Sequence, residues 1–217
     1  MTDHDHRAGI IAKCLEMNAS GLNHGVSGNV SARSGDGMLI TPSGVAYNAM
    51  TPEMIARLPL GDSSGAWEGP LKPSSEWRFH HAIYRARADV HAIVHAHPIH
   101  CTALAMARKP IPAAHYMVAI FGGDDVRCGG YATFGTEALS DHAVTALDGR
   151  MACLLANHGM IALGETLDKA MWRAVELEVL AHQYCVSLQI GGPVLLNDDE
   201  MAQATAKMKD YGMKDEA

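Results

Sequence analysis

Short apolar runs alternating with helical stretches predict an α/β or α+β fold whose sheet contains antiparallel pairs. Three observations carry that expectation. Thr166 to Ile190 reads as one long helix: a threonine N-cap, apolar residues every three or four positions, and Gly191-Gly192 at its end. Met151 to Leu155 and Met160 to Leu163 are apolar runs of strand length flanking Asn157-His158-Gly159. Ser34-Gly35-Asp36-Gly37 is a turn cluster that joins two further runs as a hairpin.

The other elements follow in chain order. Arg7 to Ser20 carries Ile10, Ile11, Cys14, Leu15 and Met17 at helical spacing, and Gly21 stops it. Gly25 to Arg33 and Met38 to Ile40 are the hairpin strands, and Thr41-Pro42-Ser43-Gly44 turns away from them. Gly61 to Gly69 is a turn-rich, exposed connection. Pro73-Ser74-Ser75 opens a helix to about Ala88, with Trp77, His80 or His81, and Tyr84 on one face. Val90 to His95 is a strand, and Pro98 starts a helix to about Ala107 that Pro110 and Pro112 end. After an irregular section come a helix from Thr136 to Leu147 and a last one from about Asp198 to Asp210.

A chain of 217 residues, 48% hydrophobic and 19% charged, reads as one globular domain spanning 1–217 and excludes wholesale disorder. Its net charge of −7 argues against nucleic-acid binding along a basic face. No run approaches the length of a membrane span, and the polar N-terminus lacks a signal core. Five widely spaced cysteines without a Cys-x-x-Cys pair read as reduced, mostly buried thiols. The expected location is the cytoplasm, with no nucleic-acid or membrane partner.

Thirteen histidines are the unusual feature of the composition. In His95-Ala96-His97 a strand would point both imidazoles to one face, where they can converge on one ion. Pro98 favours an extended backbone at His97. His158, in a turn between two apolar runs, is the candidate third ligand. A lone His-x-His in so histidine-rich a chain also fits simple packing. His4-x-His6 reads as a solvated, frayed end. His80, His81, His91, His100, His115, His142 and His182 read as surface or packing residues.

Three segments offer donors to an anion. Gly28-Asn29 brings backbone N–H groups and an amide close to a ligand. Ser43-Gly44 adds a hydroxyl at a turn, and Ser74-Ser75 sit where a helix begins. Each has a bland reading as a bend, a turn or an N-cap. Together, beside the histidines, they suggest a phosphorylated substrate. Glu76 follows the serines directly, where a carboxylate can serve as general base or metal ligand.

These pieces occur in an order that resembles the class II aldolase/adducin family. The carriers are Gly28-Asn29-Val30-Ser31, Ile40-Thr41-Pro42-Ser43-Gly44, Pro73 to His80, His95-Ala96-His97, His115-Tyr116-Met117, Tyr131 to Thr136 and Asn157-His158-Gly159. The resemblance implies a three-layer α/β/α fold with a mainly antiparallel central sheet, assembled as a homotetramer with active sites between subunits. It implies one zinc ion per subunit on His95, His97 and His158, with Glu76 both ligand and base. Phosphate would fall to Gly28, Asn29, Ser43, Gly44, Ser74 and Ser75. Tyr116 from a neighbouring subunit would serve the aldehyde oxygen as catalytic acid or base, and Phe134 and Tyr211 would shape the aldehyde side.

The activity implied is reversible cleavage of a ketose 1-phosphate to dihydroxyacetone phosphate and an aldehyde. L-Fuculose, 5-deoxyribulose and 5-methylthioribulose 1-phosphates are the substrate types. Two alternatives share the fold: an L-ribulose-5-phosphate 4-epimerase, whose branch carries aspartate in place of Glu76, and a methylthioribulose-1-phosphate dehydratase. The adducin-like binding modules lack the zinc histidines retained here. Ser43 departs from the threonine common in the aldolases but keeps the hydroxyl.

Overall fold

The computed structural model describes residues 2–208 and residue 211. A seven-stranded sheet runs in the order β3-β2-β1-β4-β7-β6-β5. Its strands are β1 (Asn29–Ser34), β2 (Gly37–Ile40), β3 (Ala56–Pro59), β4 (Ala92–Ala96), β5 (Cys128–Gly129), β6 (Ala152–Leu155) and β7 (Gly159–Gly164). Every pair is antiparallel except β5–β6, which is parallel. The sheet is therefore mixed only at one edge, and the expected mainly antiparallel arrangement holds.

The helices are α1 (Asp3–Ala19), α2 (Trp77–Ala86), α3 (Ile99–Met106), α4 (Glu137–Ala146), α5 (Leu167–Gln189) and α6 (Asp198–Met208). Alternation along the strands splits their apolar residues between two cores. Val30, Ala32, Val94, Ala96 and Ala162 pack with Ile10, Met17, Leu104, Ala174 and Leu177 of α1, α3 and α5. Met38, Ile40, Ile93, Ile161 and Leu163 face the other way, onto Phe79, Ile83, Leu139 and Ala143 of α2 and α4. The result is the three-layer α/β/α arrangement.

Several expectations change. Thr2 and Asp5 form a capping box, Asp5 N donating to Thr2 Oγ1 at 3.2 Å and Thr2 N to the Asp5 carboxylate at 2.7 Å. His4 and His6 thus belong to the first turns of α1 instead of a frayed end. Helix α2 starts at Trp77, not at Pro73-Ser74-Ser75. Pro42 pairs with Pro73, and Ser74 N donates to Thr41 O at 2.9 Å, which keeps that segment extended. The strand β3 and the two-residue β5 were not expected; both are too short to carry a period, and β3 ends on a proline at the sheet edge. The last helix is described to Met208, and residues 209, 210 and 212 of the expected C-terminal segment lie outside the described residues.

One contact fixes the turn after β4. Glu178 on α5 accepts from the backbone N–H groups of His100 (3.0 Å) and Cys101 (2.9 Å), satisfying the first donors of α3. The segment His97-Pro98, between β4 and α3, is anchored by it.

Candidate metal centre and substrate pocket

β4 ends where the functional side chains gather. Ile93 belongs to the α2-facing core, so His95, two residues on, points to the same side. His97 continues that alternation just past the strand. β7 pairs with β4 (Ala96 opposite Met160), which brings the β6–β7 turn and His158 alongside. Asn157 takes the left-handed conformation at φ 55°, which asparagine tolerates better than most residues. Its N–H donates to Ala105 O at 2.9 Å and its Oδ1 accepts from Arg108 Nε at 3.0 Å, so the turn is tied to α3 and the segment after it. Glu76, at the N-cap position of α2, reaches in from the layer above.

Glu76, His95, His97 and His158 offer one ligand atom each, all within 4.8 Å of one another. His95 Nε2 lies 3.1 Å from Glu76 Oε2 and 3.0 Å from His97 Nε2, and His158 Nε2 lies 3.0 Å from Glu76 Oε1. A tetrahedral ion with bonds of about 2.0–2.1 Å needs donors roughly 3.3 Å apart, so the set has the right size. Two further observations fit a cation. Glu76 Oε1 is buried with His158 Nε2 as its one close polar neighbour among the described residues, a costly state for a carboxylate oxygen that an ion would relieve. His95 Nδ1 donates to Met160 O at 2.9 Å, which turns Nε2 into the cluster, the arrangement found behind metal-ligating imidazoles.

Electrostatics agree. Burial alone would raise the Glu76 carboxyl, but His95 and His158 outweigh it and hold it well below the usual carboxylate range. His97 is pushed down to about 3, first by burial and then by His95 and His158, so its ring is neutral and free to ligate. Phe79 packs edge-on against His95 with ring centroids 5.2 Å apart, closing the inner side of the cluster.

Above the cluster opens a cavity of about 370 Å³ lined by Ser75, Glu76, His97, Phe134 and His158, with Ser27, Tyr131, Ala132 and Asn157 completing the wall. Phe134 stands at its mouth, 63% exposed. The phosphate candidates come together in pairs: Ser43 N donates to Lys72 O at 3.0 Å, and the 41–44 and 72–75 segments run side by side. Gly44 takes φ 72°, which favours glycine. Asn29 and Ser74 are buried beneath the wall. Asn29 Nδ2 donates to Glu76 Oε2 at 2.9 Å, leaving its second N–H for another acceptor. Gly28 meets a requirement the sequence did not reveal: a Cβ there would fall 2.8 Å from His95 O. Tyr116 (47% exposed) and Tyr211 (57% exposed) do not line this cavity, and of the phosphate candidates only Ser75 does.

Four wall residues were not singled out as site residues. Tyr131, Ala132 and Asn157 lay inside motifs quoted from the sequence, whereas Ser27 carried no signal of its own. The remaining histidines stay out of the centre. Among the described residues only the four above form such a ligand group.

His80 adds a pH dependence. It is fully buried, and its imidazole is pushed down to about 3, by burial first and His95 second. In the unfolded chain it titrates near 6.5. Between those values the unfolded state binds a proton that the folded state refuses, so stability is full above about 6.5 and lost as pH falls toward about 3. In metal-free protein, His80 alone is expected to cost about tenfold in the folding constant per pH unit across that window. Urea titrations between pH 7 and 4.5 check this, with His80→Gln giving the shallower slope; equal slopes would locate the titration elsewhere.

Comparison with known proteins agrees with this geometry. The family model described as "Class II Aldolase and Adducin N-terminal domain" matches residues 8–185. A Rhodospirillum rubrum protein named 5-methylthioribulose-1-phosphate/5-deoxyribulose-1-phosphate aldolase is 53% identical, covering 95% of this chain and 92% of its own. An L-fuculose phosphate aldolase of Escherichia coli O6:H1 is 50% identical over 94% of each chain. A solved L-fuculose 1-phosphate aldolase superposes with a TM-score of 0.91 at 38% identity, over 96% of this chain and 98% of that one. With a matching model over most of its length, close relatives end to end and the same fold, the chain belongs to the class II aldolase and adducin family.

Proposed function

We propose that this class II aldolase cleaves ketose 1-phosphates into dihydroxyacetone phosphate and an aldehyde, with zinc held by His95, His97, His158 and Glu76. The observation that carries the reading is the Glu/His₃ group, with Glu76 and His95 buried, set against a cavity that Glu76, His97, His158 and Ser75 line. Relatives named for L-fuculose 1-phosphate and for 5-deoxyribulose 1-phosphate cleavage support it. Among the described residues no lysine lines the cavity, so that wall offers no amine for a Schiff base.

Bound there, the ion supplies Lewis-acid stabilisation for negative charge developing on the substrate oxygens. The chain's own residues do the rest. Ser43, Gly44, Ser74, Ser75 and the N–H groups around Gly28 and Asn29 bind the phosphate and fix the substrate's register. Glu76, kept deprotonated by its histidines, moves the proton at the carbon next to the carbonyl. Phe134 excludes water at the aldehyde end. Tyr116 of a neighbouring copy handles the proton on the aldehyde oxygen. That role calls for assembly as a homotetramer, since Tyr116 is exposed and does not line the cavity of its own chain. Light scattering giving four copies would agree, and a monomer active at high dilution would refute it.

Release of dihydroxyacetone phosphate from L-fuculose, L-rhamnulose, 5-deoxyribulose and 5-methylthioribulose 1-phosphates tests the reading. Cleavage lost on chelation and restored by zinc is the expected result, and the ranking identifies the aldehyde half. Chelator-insensitive cleavage would overturn the metal assignment. Epimerisation of L-ribulose 5-phosphate, or dehydration of methylthioribulose 1-phosphate without any cleavage, would overturn the aldolase assignment.

A further inference from the structure

Behind Glu76, away from the cavity, four buried polar side chains form a continuous chain. Asn29 Nδ2 donates to Glu76 Oε2 at 2.9 Å. Asn29 Oδ1 lies 2.6 Å from His80 Nε2, His80 Nδ1 lies 2.7 Å from Ser31 Oγ, and Ser31 Oγ lies 2.9 Å from the Tyr84 hydroxyl. Asn29, Ser31, His80 and Tyr84 are each at most 3% exposed, and none lines the cavity. The spacing explains the alignment. Glu76, His80 and Tyr84 recur every four residues along α2, while Asn29 and Ser31 are two apart on the face of β1 opposite Val30.

The donors can be assigned by elimination. The carboxylate only accepts, so the Asn29 amide turns its nitrogen to Glu76 and its oxygen to His80. That oxygen also only accepts, so the His80 proton sits on Nε2 and Nδ1 is a lone pair. Ser31 must then donate to Nδ1, and its oxygen accepts from Tyr84. All four hydrogen bonds run in one direction, from Tyr84 to Glu76, so each polarises the next. Arg33 closes the far end, its guanidinium 5.1 Å from the Tyr84 ring centroid and its Nη2 donating to Tyr84 O at 2.6 Å. The chain holds Oε2, while Oε1 remains without a hydrogen bond beside His158.

We propose that His80 is a positioning residue for Glu76. Through Asn29 it fixes Glu76 Oε2 and with it the orientation of the carboxylate in the centre, with Ser31 and Tyr84 locking the tautomer that does so. This inference rests on the reading of Glu76 as the proton-transferring group. It separates His80 from the other packing histidines, because only a ring bonded at both nitrogens can transmit this order.

Solvent deuterium exchange into the hydroxymethyl carbon of dihydroxyacetone phosphate isolates the proton transfer from carbon–carbon cleavage. With zinc-loaded full-length protein, His80→Leu is expected to slow exchange at saturation by about ten- to a hundredfold, leaving KM and bound zinc unchanged. His80→Gln, whose amide nitrogen still donates to Asn29 Oδ1, is expected to recover most of that rate. Unchanged exchange in His80→Leu, zinc lost in step with rate, or equal loss in both variants would overturn the proposal. Should His80→Leu not fold, Ser31→Ala carries the same expectation at smaller amplitude, and unaltered exchange there overturns it. A wild-type enzyme that cleaves ketose phosphates without catalysing exchange would refute the role of Glu76 instead. The chain is then decided by ¹⁵N spectra of the zinc-free protein: an Nε2–H tautomer at His80 supports it, and an Nδ1–H tautomer overturns it.

Discussion

His95→Ala is expected to lose its bound metal and, with it, about a thousandfold or more in turnover, roughly 4 kcal/mol of transition-state stabilisation. The reason lies in how much converges on one imidazole. His95 is fully buried, with its Nδ1 proton committed to Met160 O and its Nε2 within 3.1 Å of both Glu76 and His97. Removing it takes away a ligand candidate whose orientation was already set by β7. It also strips Glu76 of the leading charge partner that offsets its burial, so the carboxyl shifts back up toward the protonated form. Zinc content after dialysis, followed by dihydroxyacetone phosphate release, checks both parts. Zinc should raise the thermal midpoint of the wild type by mass action and leave the variant unmoved. A variant that keeps zinc and normal turnover would remove His95 from the centre.

Much of this centre was legible in the sequence because strand alternation is a local rule. His95-Ala96-His97 announces two imidazoles on one face, and the apolar runs around His158 mark a turn between strands. What was not legible depends on residues distant in the chain. His80 reads as packing because its partners, Asn29 and Ser31, lie about 50 residues upstream and meet it only when β1 is laid beneath α2. The Met160 carbonyl that sets the His95 tautomer leaves no trace in residue type. Gly28 invited a reading as an anion loop, yet its lack of a side chain also admits the His95 carbonyl at a distance no Cβ tolerates. The start of α2 was misplaced for a related reason. Ser74 has N-cap chemistry, and its Oγ accepts from Glu76 N at 3.3 Å, but the Pro42–Pro73 bridge and the Ser74 N–Thr41 O bond hold 73–74 extended against 41–42, so a turn intervenes and the helix begins at Trp77.

Gly159→Ala should be nearly as damaging as loss of a ligand, although Gly159 offers no donor to the metal. It opens β7 beside the end of β4, and a Cβ there would fall 2.6 Å from Ala96 O and 2.5 Å from His97 Cδ2. The first neighbour is backbone in a central strand paired on both sides, so it cannot retreat without disturbing the β1–β4 and β4–β7 ladders. The second is the ring of a metal-ligand candidate. Relief at either place costs the site: moving β4 shifts His95, and swinging the ring shifts His97. The expected penalty is about 2–3 kcal/mol in stability, the range for overpacking a rigid position, and a thermal midpoint lower by roughly 5–10 °C. Zinc affinity should fall at least as far as when a supporting partner of a ligand is removed, about ten- to a hundredfold. Denaturant unfolding with and without zinc separates the two effects, because strain in the ladder persists in the metal-free protein whereas displacement of His97 appears only on titration. An alanine variant with wild-type stability and zinc affinity would mean that β4 and β7 can part by several tenths of an ångström at no cost, contrary to the close packing on both faces of this sheet.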